Sequence, residues 1–336
     1  PLSILLGRME AGEGIDDVPS LWIKKDGKTI KNPMAPLIDV DEIPALDRRY
    51  YQRYNDRAPP MELTVLCSRG CPFNCTFCGN FTTNKMYAFK HFRMRSPDTV
   101  IAEMVDALSV CPTVDFIKFQ DDIFGMDAEW LGDFIKKYKK HINLPFYCLL
   151  RCDVISGKLI DELRDAGCKT IGIGVETGDE SIRNEILCKS LTDKKIHEAV
   201  GVMRERGISF HTFNMIGLPG ENVASALKTI DLNLKLNPTV FWSALFQPYP
   251  GTKFFDEGAE KDMISRDFSR FRINHPYSKD HKRLERLQKL AMITVKAPIL
   301  RSLLPILIRL PLSGLYDMIS KTAWERIYRK NIESRP

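Results

Sequence analysis

The sequence predicts an α/β fold, an open partial (β/α)6 barrel, on three observations. Six short, near-continuously apolar runs recur from residue 62 onward, as parallel strands covered on both faces require. Amphipathic stretches separate them, the alternation that builds repeated βα units. Helix start and stop signals fall in the gaps between the two kinds of segment.

The runs are ELTVLC (62–67), VDFIKFQ (114–120), PFYCLLR (145–151), KTIGIGVE (169–176), ISFHTFNMIG (208–217) and TVFWSALFQ (239–247). Ser96 before Pro97 reads as an N-cap with proline in the first turn, and Thr192 caps the stretch before Val200. Gly167 and Gly207 each follow a periodic apolar run and precede a strand, where a left-handed residue closes a helix.

The flanks differ from this core, and the sequence divides into 1–58, a connector or the edge of an upstream domain; 59–258, the barrel; and 259–336, a helical extension. In the first part Asp26-Gly27 between alternating runs predicts a hairpin, and a proline-broken segment with Pro33, Pro36 and Pro44 follows. The chain opens in mid-pattern at Pro1, where the sequence leads us to expect a fragment boundary. The last part is basic and apolar by turns, broken by Pro298, Pro305 and Pro311. Lys296, Arg301 and Arg309 interrupt it before the roughly 18 uncharged apolar residues of a membrane span are reached. Residues 287–320 are expected either to pack across the barrel as a lid or to lie on a membrane surface, at the inner face.

With 44% apolar and 27% charged residues the 336-residue chain has the make-up of a folded globular protein. Its net charge of +6 comes from largely interspersed signs, which argues against a nucleic-acid partner. Nine cysteines, an odd number, point to a reducing, cytoplasmic compartment and to thiol or metal chemistry.

CSRGCPFNCTFCGN follows the first strand directly, and Cys71, Cys75 and Cys78 sit there in a C-x3-C-x2-C loop bent by Gly70, Pro72 and Gly79. Iron-sulfur clusters are normally held by four thiolates, so a loop offering three leaves one iron open to chelate a substrate. A zinc knuckle is the alternative, for which Cys75-x2-Cys78 is half a site; no second pair follows at the usual distance. Cys67 ends a strand and reads as a buried thiol, and Cys111, Cys148, Cys152, Cys168 and Cys188 read as packing residues.

CPFNCTFC at the first strand of a six-unit βα array resembles the radical S-adenosylmethionine superfamily, over roughly residues 60–255. The resemblance implies a TIM-like partial barrel and a 4Fe-4S cluster on Cys71, Cys75 and Cys78. It also implies reductive cleavage of S-adenosylmethionine to methionine and a 5'-deoxyadenosyl radical, with an external electron donor of flavodoxin or ferredoxin type. Phe77 matches the aromatic position near the adenine, and Asp121 and Asp122 lie where the methionine amine is bound. Arg151 is the expected partner of the methionine carboxylate, and Glu176 in GVETG that of the ribose hydroxyls. MIGLPGE, with Ile216, Gly217, Pro219 and Glu221, resembles the glycine-rich turn beside the adenine.

The opening AGEGIDDVPSLWIKKDGKTIKNP and DVDEIPALDRRYY resemble the connector of the branch with a cobalamin-binding domain, which would lie upstream. That branch implies a methyltransferase, or a related cyclase, acting on a small-molecule or lipid-like substrate. No D-x-H-x-x-G occurs, so the lower axial histidine of the common cobalamin motif is absent from these residues. Another class of reading is an iron-sulfur electron carrier or redox sensor, which needs neither Glu176 nor MIGLPGE. Transfer-RNA methylthiolation resembles chains with further cysteine-rich and RNA-binding segments, not this pattern.

Overall fold

A computed structural model describes residues 1–51, 62–88, 91–260 and 280–328 of the chain, which divides into two compact units, Pro1–Ile43 and Pro44–Pro336. The expected boundary at residue 58 lies outside the described residues.

In the first unit, helix α1 (Leu2–Ala11) precedes a hairpin of β1 (Trp22–Lys25) and β2 (Lys28–Lys31). Asp26 and Gly27 take φ of 51° and 74° between the paired Lys25 and Lys28, the two left-handed residues that a two-residue hairpin turn demands. Helix α1 has no buried residue, and Leu2, Ile4, Leu6 and Met9 are exposed.

The second unit is built on β3 (Glu62–Val65), β6 (Phe116–Phe119), β7 (Phe146–Leu150), β8 (Cys168–Glu176), β9 (Ser209–Ile216) and β10 (Val240–Leu245). These form one parallel sheet in the order β10-β9-β8-β7-β6-β3, so each strand lies beside its predecessor in sequence and the sheet is open at β3 and β10. All six predicted strands are present. A short antiparallel pair, β4 (Ser68–Arg69) with β5 (Arg93–Met94), lies outside the sheet and was not signalled by periodicity.

The crossover helices are α2 (Gly79–Met86), α3 (Pro97–Val110), α4 (Ala128–His141), α5 (Gly157–Asp165), α6 (Asp193–Glu205) and α7 (Val223–Leu236). Ser96 caps α3 by accepting from Thr99 N–H at 3.2 Å, and Thr192 caps α6 from Lys195 N–H at 3.3 Å. Gly167 and Gly207 follow α5 and α6 with φ of 105° and 71°. Between sheet and helices lies the main core, in which Phe119 stacks on Phe124 at 4.6 Å and meets Phe134, Tyr138 and Phe146 edge-on at 5.3–6.0 Å.

Beyond β10 come α8 (Lys253–Glu260), α9 (His281–Lys296), α10 (Leu304–Leu307) and α11 (Ser313–Ala323). The expected lid is replaced by a lateral extension. Leu284, Leu287, Ala291 and Val295 of α9 share a core with Ala226 and Ile230 of α7 and with Phe241 and Ile216, on the helix side of the sheet. The reason lies in the edge strand: Phe241 points outward beside α7 and needs a cover, which α9 supplies. Three basic residues of this region are engaged internally, Lys289 with Glu285 and Asp317, Arg301 with Asp231, and Lys296 with the Pro238 carbonyl, whereas Arg309 is exposed. Among the described residues no helix is long and apolar enough to cross a membrane.

Candidate active site at the carboxyl ends of the strands

Because all six strands run the same way, whatever follows them gathers at one edge of the sheet, where barrel active sites are assembled. The first of these segments is the thiol loop, and it is pinned on three sides. Pairing of β4 with β5 fixes its start, and Gly70, at φ 85°, lets the His91 ring approach where a Cβ would stand 2.4 Å from Cδ2. Asn84, fully buried in α2, donates to the carbonyls of Cys71 at 3.1 Å and Phe73 at 3.0 Å. Thr76 donates through N–H to Leu187 O at 3.1 Å and through its hydroxyl to Ile186 O at 2.8 Å. The loop is thereby tied to the segment after β8.

Cys75 is buried, and Cys71 and Cys78 are partly so. Burial pushes the Cys71 thiol up to about 11 and raises Cys78 as well, and the negative charge of the exposed Asp122 carboxylate adds to both shifts. The bare chain thus keeps these sulfurs protonated; a bound cation would expel the protons. Two of the sulfurs already face N–H donors: Arg151 Nη1 stands 3.7 Å from Cys75 Sγ, and Asn80 Nδ2 stands 3.6 Å from Cys78 Sγ. Donors aimed at sulfur suit thiolates, which only accept. Among the described residues no three His, Cys, Asp or Glu side chains close on a single ion. A cubane cluster does not require that, since each cysteine ligates a different iron. The donor set therefore fits such a cluster.

The other predicted residues separate into those facing this loop and those consumed by the fold. Asp121 is buried and accepts from Cys67 N–H at 3.0 Å and from the Ser68 hydroxyl at 2.5 Å, so it fixes the exit of β3. Arg151 is buried with its fork closed on Asp153 at 3.0 and 2.8 Å, a bond to Lys189 O at 2.8 Å, and its guanidinium 3.7 Å from the centre of the Phe73 ring. Glu176 ends β8 at φ 68°, a strained conformation for a residue with a side chain, beside a register shift in the ladder. Its carboxylate accepts from Lys189 Nζ at 2.8 Å, and both are buried.

Phe77 packs with Met215, Leu218, Phe246 and Phe254, which places it against the glycine-rich turn. Gly217, at φ 87°, Pro219 and Glu221 form that turn. Glu221 is buried, and one oxygen accepts from the N–H groups of Gly217 at 2.5 Å and Leu218 at 3.2 Å, while its Oε1 has no partner. Ile216 departs from expectation: its side chain is in the helix-side core with Ala226 and Phe241, and Met215 and Leu218 belong to the cluster that takes in Phe77. Alternation along β9 accounts for this, since Thr212, Asn214 and Ile216 share the face turned to α7. Cys67 is in the core as expected, whereas Cys188 is exposed and is no packing residue.

Sequence reading missed Lys189, Asn80, His91 and Arg183. Arg183 is fully buried in a π-helical turn (Ile182–Ile186) and donates to the carbonyls of Thr177 and Leu191, which shapes the segment that carries Lys189. Nothing in the local pattern marks it. Asn80 had one usable signal, its place two residues after Cys78.

With this geometry established, the family model described as the radical SAM superfamily matches residues 65–232, and the chain belongs to that family. An uncharacterized methyltransferase of Pyrococcus horikoshii is 26% identical over 264 residues, covering 77% of this chain and 56% of that protein. The anaerobic magnesium-protoporphyrin IX monomethyl ester cyclase of Rubrivivax gelatinosus is 24% identical over 266 residues, covering 76% and 45% respectively. Among solved structures, the radical S-adenosylmethionine methyltransferase TsrM from Kitasatospora setae, with cobalamin and a [4Fe-4S] cluster bound, shares the fold. Its TM-score is 0.61 at 18% identity, over 77% of this chain and 52% of that one. The chain spans about half the length of the curated relatives it matches.

Proposed function

We propose that the chain is the radical domain of a methyltransferase that uses a 4Fe-4S cluster and S-adenosylmethionine, with cobalamin carried by a domain ahead of residue 1. The observation that carries the reading is the pinned loop with three thiols at the carboxyl edge of the sheet, two of whose sulfurs face N–H donors. Cys71, Cys75 and Cys78 hold the cluster in this reading. When bound, such a cluster supplies one electron to the sulfonium of S-adenosylmethionine.

The chain's own residues orient the cosubstrate. Half-buried Phe77 and Met215, backed by the cluster that contains Leu218, offer an apolar surface for the adenine, and Gly217 and Pro219 set the backbone beside it. Exposed Asp122, whose negative charge acts on Cys71 and Cys78, suits the methionine amine. Glu176, its carboxylate held by Lys189, is the partner of the ribose hydroxyls in this reading. Below them the inner face of the sheet presents Tyr147, His211, Phe213 and Trp242, and Gly172 leaves the space that the Tyr147 and Phe213 rings close over. This wall suits a small-molecule substrate with an apolar ring. The uncovered Leu2, Ile4, Leu6 and Met9 of α1 support an apolar partner domain for the first unit.

The test is reconstitution without oxygen. The protein binds about four irons and, once reduced by a flavodoxin- or ferredoxin-type donor, cleaves S-adenosylmethionine to methionine and 5'-deoxyadenosine. Ala at Cys71, Cys75 or Cys78 removes both properties, and Cys67→Ala keeps them. A longer polypeptide with cobalamin and substrate adds S-adenosylhomocysteine. Iron binding without cleavage would turn the reading to an electron carrier.

A further inference from the structure

Resting on the cluster reading above, we propose that His91, acting through Asn80, and Arg151 set the reduction potential of the cluster by fixing N–H donors on the Cys78 and Cys75 sulfurs. Hydrogen bonds to ligand sulfurs stabilise the extra negative charge of a reduced cluster, so they raise its potential.

The direction of each bond follows from what the groups can do. A ligating cysteine has no proton, so at Cys78 Sγ the 3.6 Å contact makes Asn80 Nδ2 the donor. That orientation turns Asn80 Oδ1 toward His91 Nε2, 2.9 Å away, and an oxygen without a proton requires Nε2 to carry one. The imidazole therefore donates through Nε2, and its Nδ1 is left buried without a partner. The ring itself is held by the fold. It is 4% exposed and lies over Gly70, which has no Cβ to displace it. An amide that would otherwise rotate freely beside the loop is locked with N–H toward sulfur.

Arg151 plays the matching part on Cys75 by a different device. Its Nε and Nη2 are committed to Asp153, Nη2 also to Lys189 O, and its plane lies over Phe73 of the thiol loop itself. Only Nη1 remains, and it stands 3.7 Å from Cys75 Sγ. The guanidinium adds a buried positive charge beside a centre that gains one electron. This arrangement gives Arg151 a role other than the carboxylate partner that sequence reading assigned it.

The experiment is an anaerobic redox titration of the reconstituted full chain, followed by the electron paramagnetic resonance of the reduced cluster. Asn80→Leu, which keeps the volume and removes the amide, is expected to lower the reduced-to-oxidised ratio at fixed ambient potential by about tenfold, equivalent to about 59 mV for one electron. His91→Phe shifts it in the same direction, and His91→Gln, which retains a donor, restores the native value. The double variant Asn80→Leu/His91→Phe shifts no further than Asn80→Leu alone, because His91 acts only through Asn80. Arg151→Lys lowers the ratio independently. Full iron content with an unchanged potential in Asn80→Leu and Arg151→Lys would overturn the proposal while leaving the cluster in place. Additive His91 and Asn80 effects would overturn the relay. Wild-type protein that assembles no cluster would overturn the cluster reading first, and this one with it.

Discussion

The two halves of the sheet are buried by different chemistry. On the helix side of β6 and β7 the core is a stack of rings, Phe119, Phe124, Phe134, Tyr138 and Phe146. On the helix side of β9, facing α7, it is a ladder of buried polar groups. Thr212 donates to Asn233 Oδ1 at 2.7 Å, Asn233 Nδ2 donates to Asn214 Oδ1 at 2.9 Å, and Asn214 Nδ2 reaches Trp242 O at 3.1 Å. Thr229, one turn away on α7, accepts from Gly178 N–H at 2.9 Å. Rings gain from contact area and tolerate small shifts, whereas a buried hydrogen-bonded ladder is stable only when every member is paired. The ladder half also carries the strained Glu176 and the turn at Gly217, where backbone position has to be exact to fractions of an ångström.

The largest expected effect is in the ring half. Phe119 touches four rings and is fully buried, so Phe119→Ala should cost about 3–5 kcal/mol in denaturant unfolding. A cost below that of an exposed substitution would show that the stack is not a packed unit. In the ladder half Asn233→Ala takes away the acceptor of the Thr212 hydroxyl, which still accepts from Asn214 Nδ2 at 3.3 Å, and leaves Asn214 Oδ1 unpaired, at about 1–3 kcal/mol in all. Thr212→Val in the same chain should recover part of that loss, a coupling of about 1 kcal/mol or more. Strict additivity would mean that the ladder is a set of independent bonds.

The same contrast explains what was legible in the sequence. Runs such as PFYCLLR and KTIGIGVE gave the strands, the βα alternation gave the open parallel array, and Ser96, Thr192, Gly167 and Gly207 marked helix ends where the backbone places them. The thiol loop was legible because its three cysteines are close in sequence. Partners that no local spacing pattern links were not: His91 with Asn80, Lys189 with Glu176 and Arg151 with Cys75, 11, 13 and 76 residues apart, meet only after folding. The alternation of β9 could have shown that Ile216 shares a face with Thr212 and Asn214, but a run that is apolar throughout hides which parity faces the helices. The position of α9 was hidden for a related reason, since an amphipathic helix specifies that it must be covered and not by which surface.

The smallest expected effect is the acid response of the wild-type protein, because two buried groups of the ladder half oppose each other. Burial lowers His211 from 6.5 to about 4, so below 6.5 the unfolded chain binds a proton that the folded one refuses, and stability falls as pH drops toward 4. Burial raises Glu221 from 4.5 to about 7, so between those values the folded chain holds a proton that the unfolded one has released, and stability rises as pH drops. Each group alone contributes about 3 kcal/mol across its range. Between pH 5 and 6 both are active with opposite slopes, and their sum should be within about 1 kcal/mol of flat. Single substitutions separate them. Glu221→Gln removes the titrating carboxyl but keeps an oxygen for the Gly217 and Leu218 N–H groups, so this variant should lose stability steeply on acidification from pH 6.5 to 4.5. His211→Gln should do the reverse relative to wild type and gain stability over the same interval. Denaturant midpoints measured every half unit of pH on the three proteins check this; parallel curves would mean that neither group is held in its neutral form by the fold.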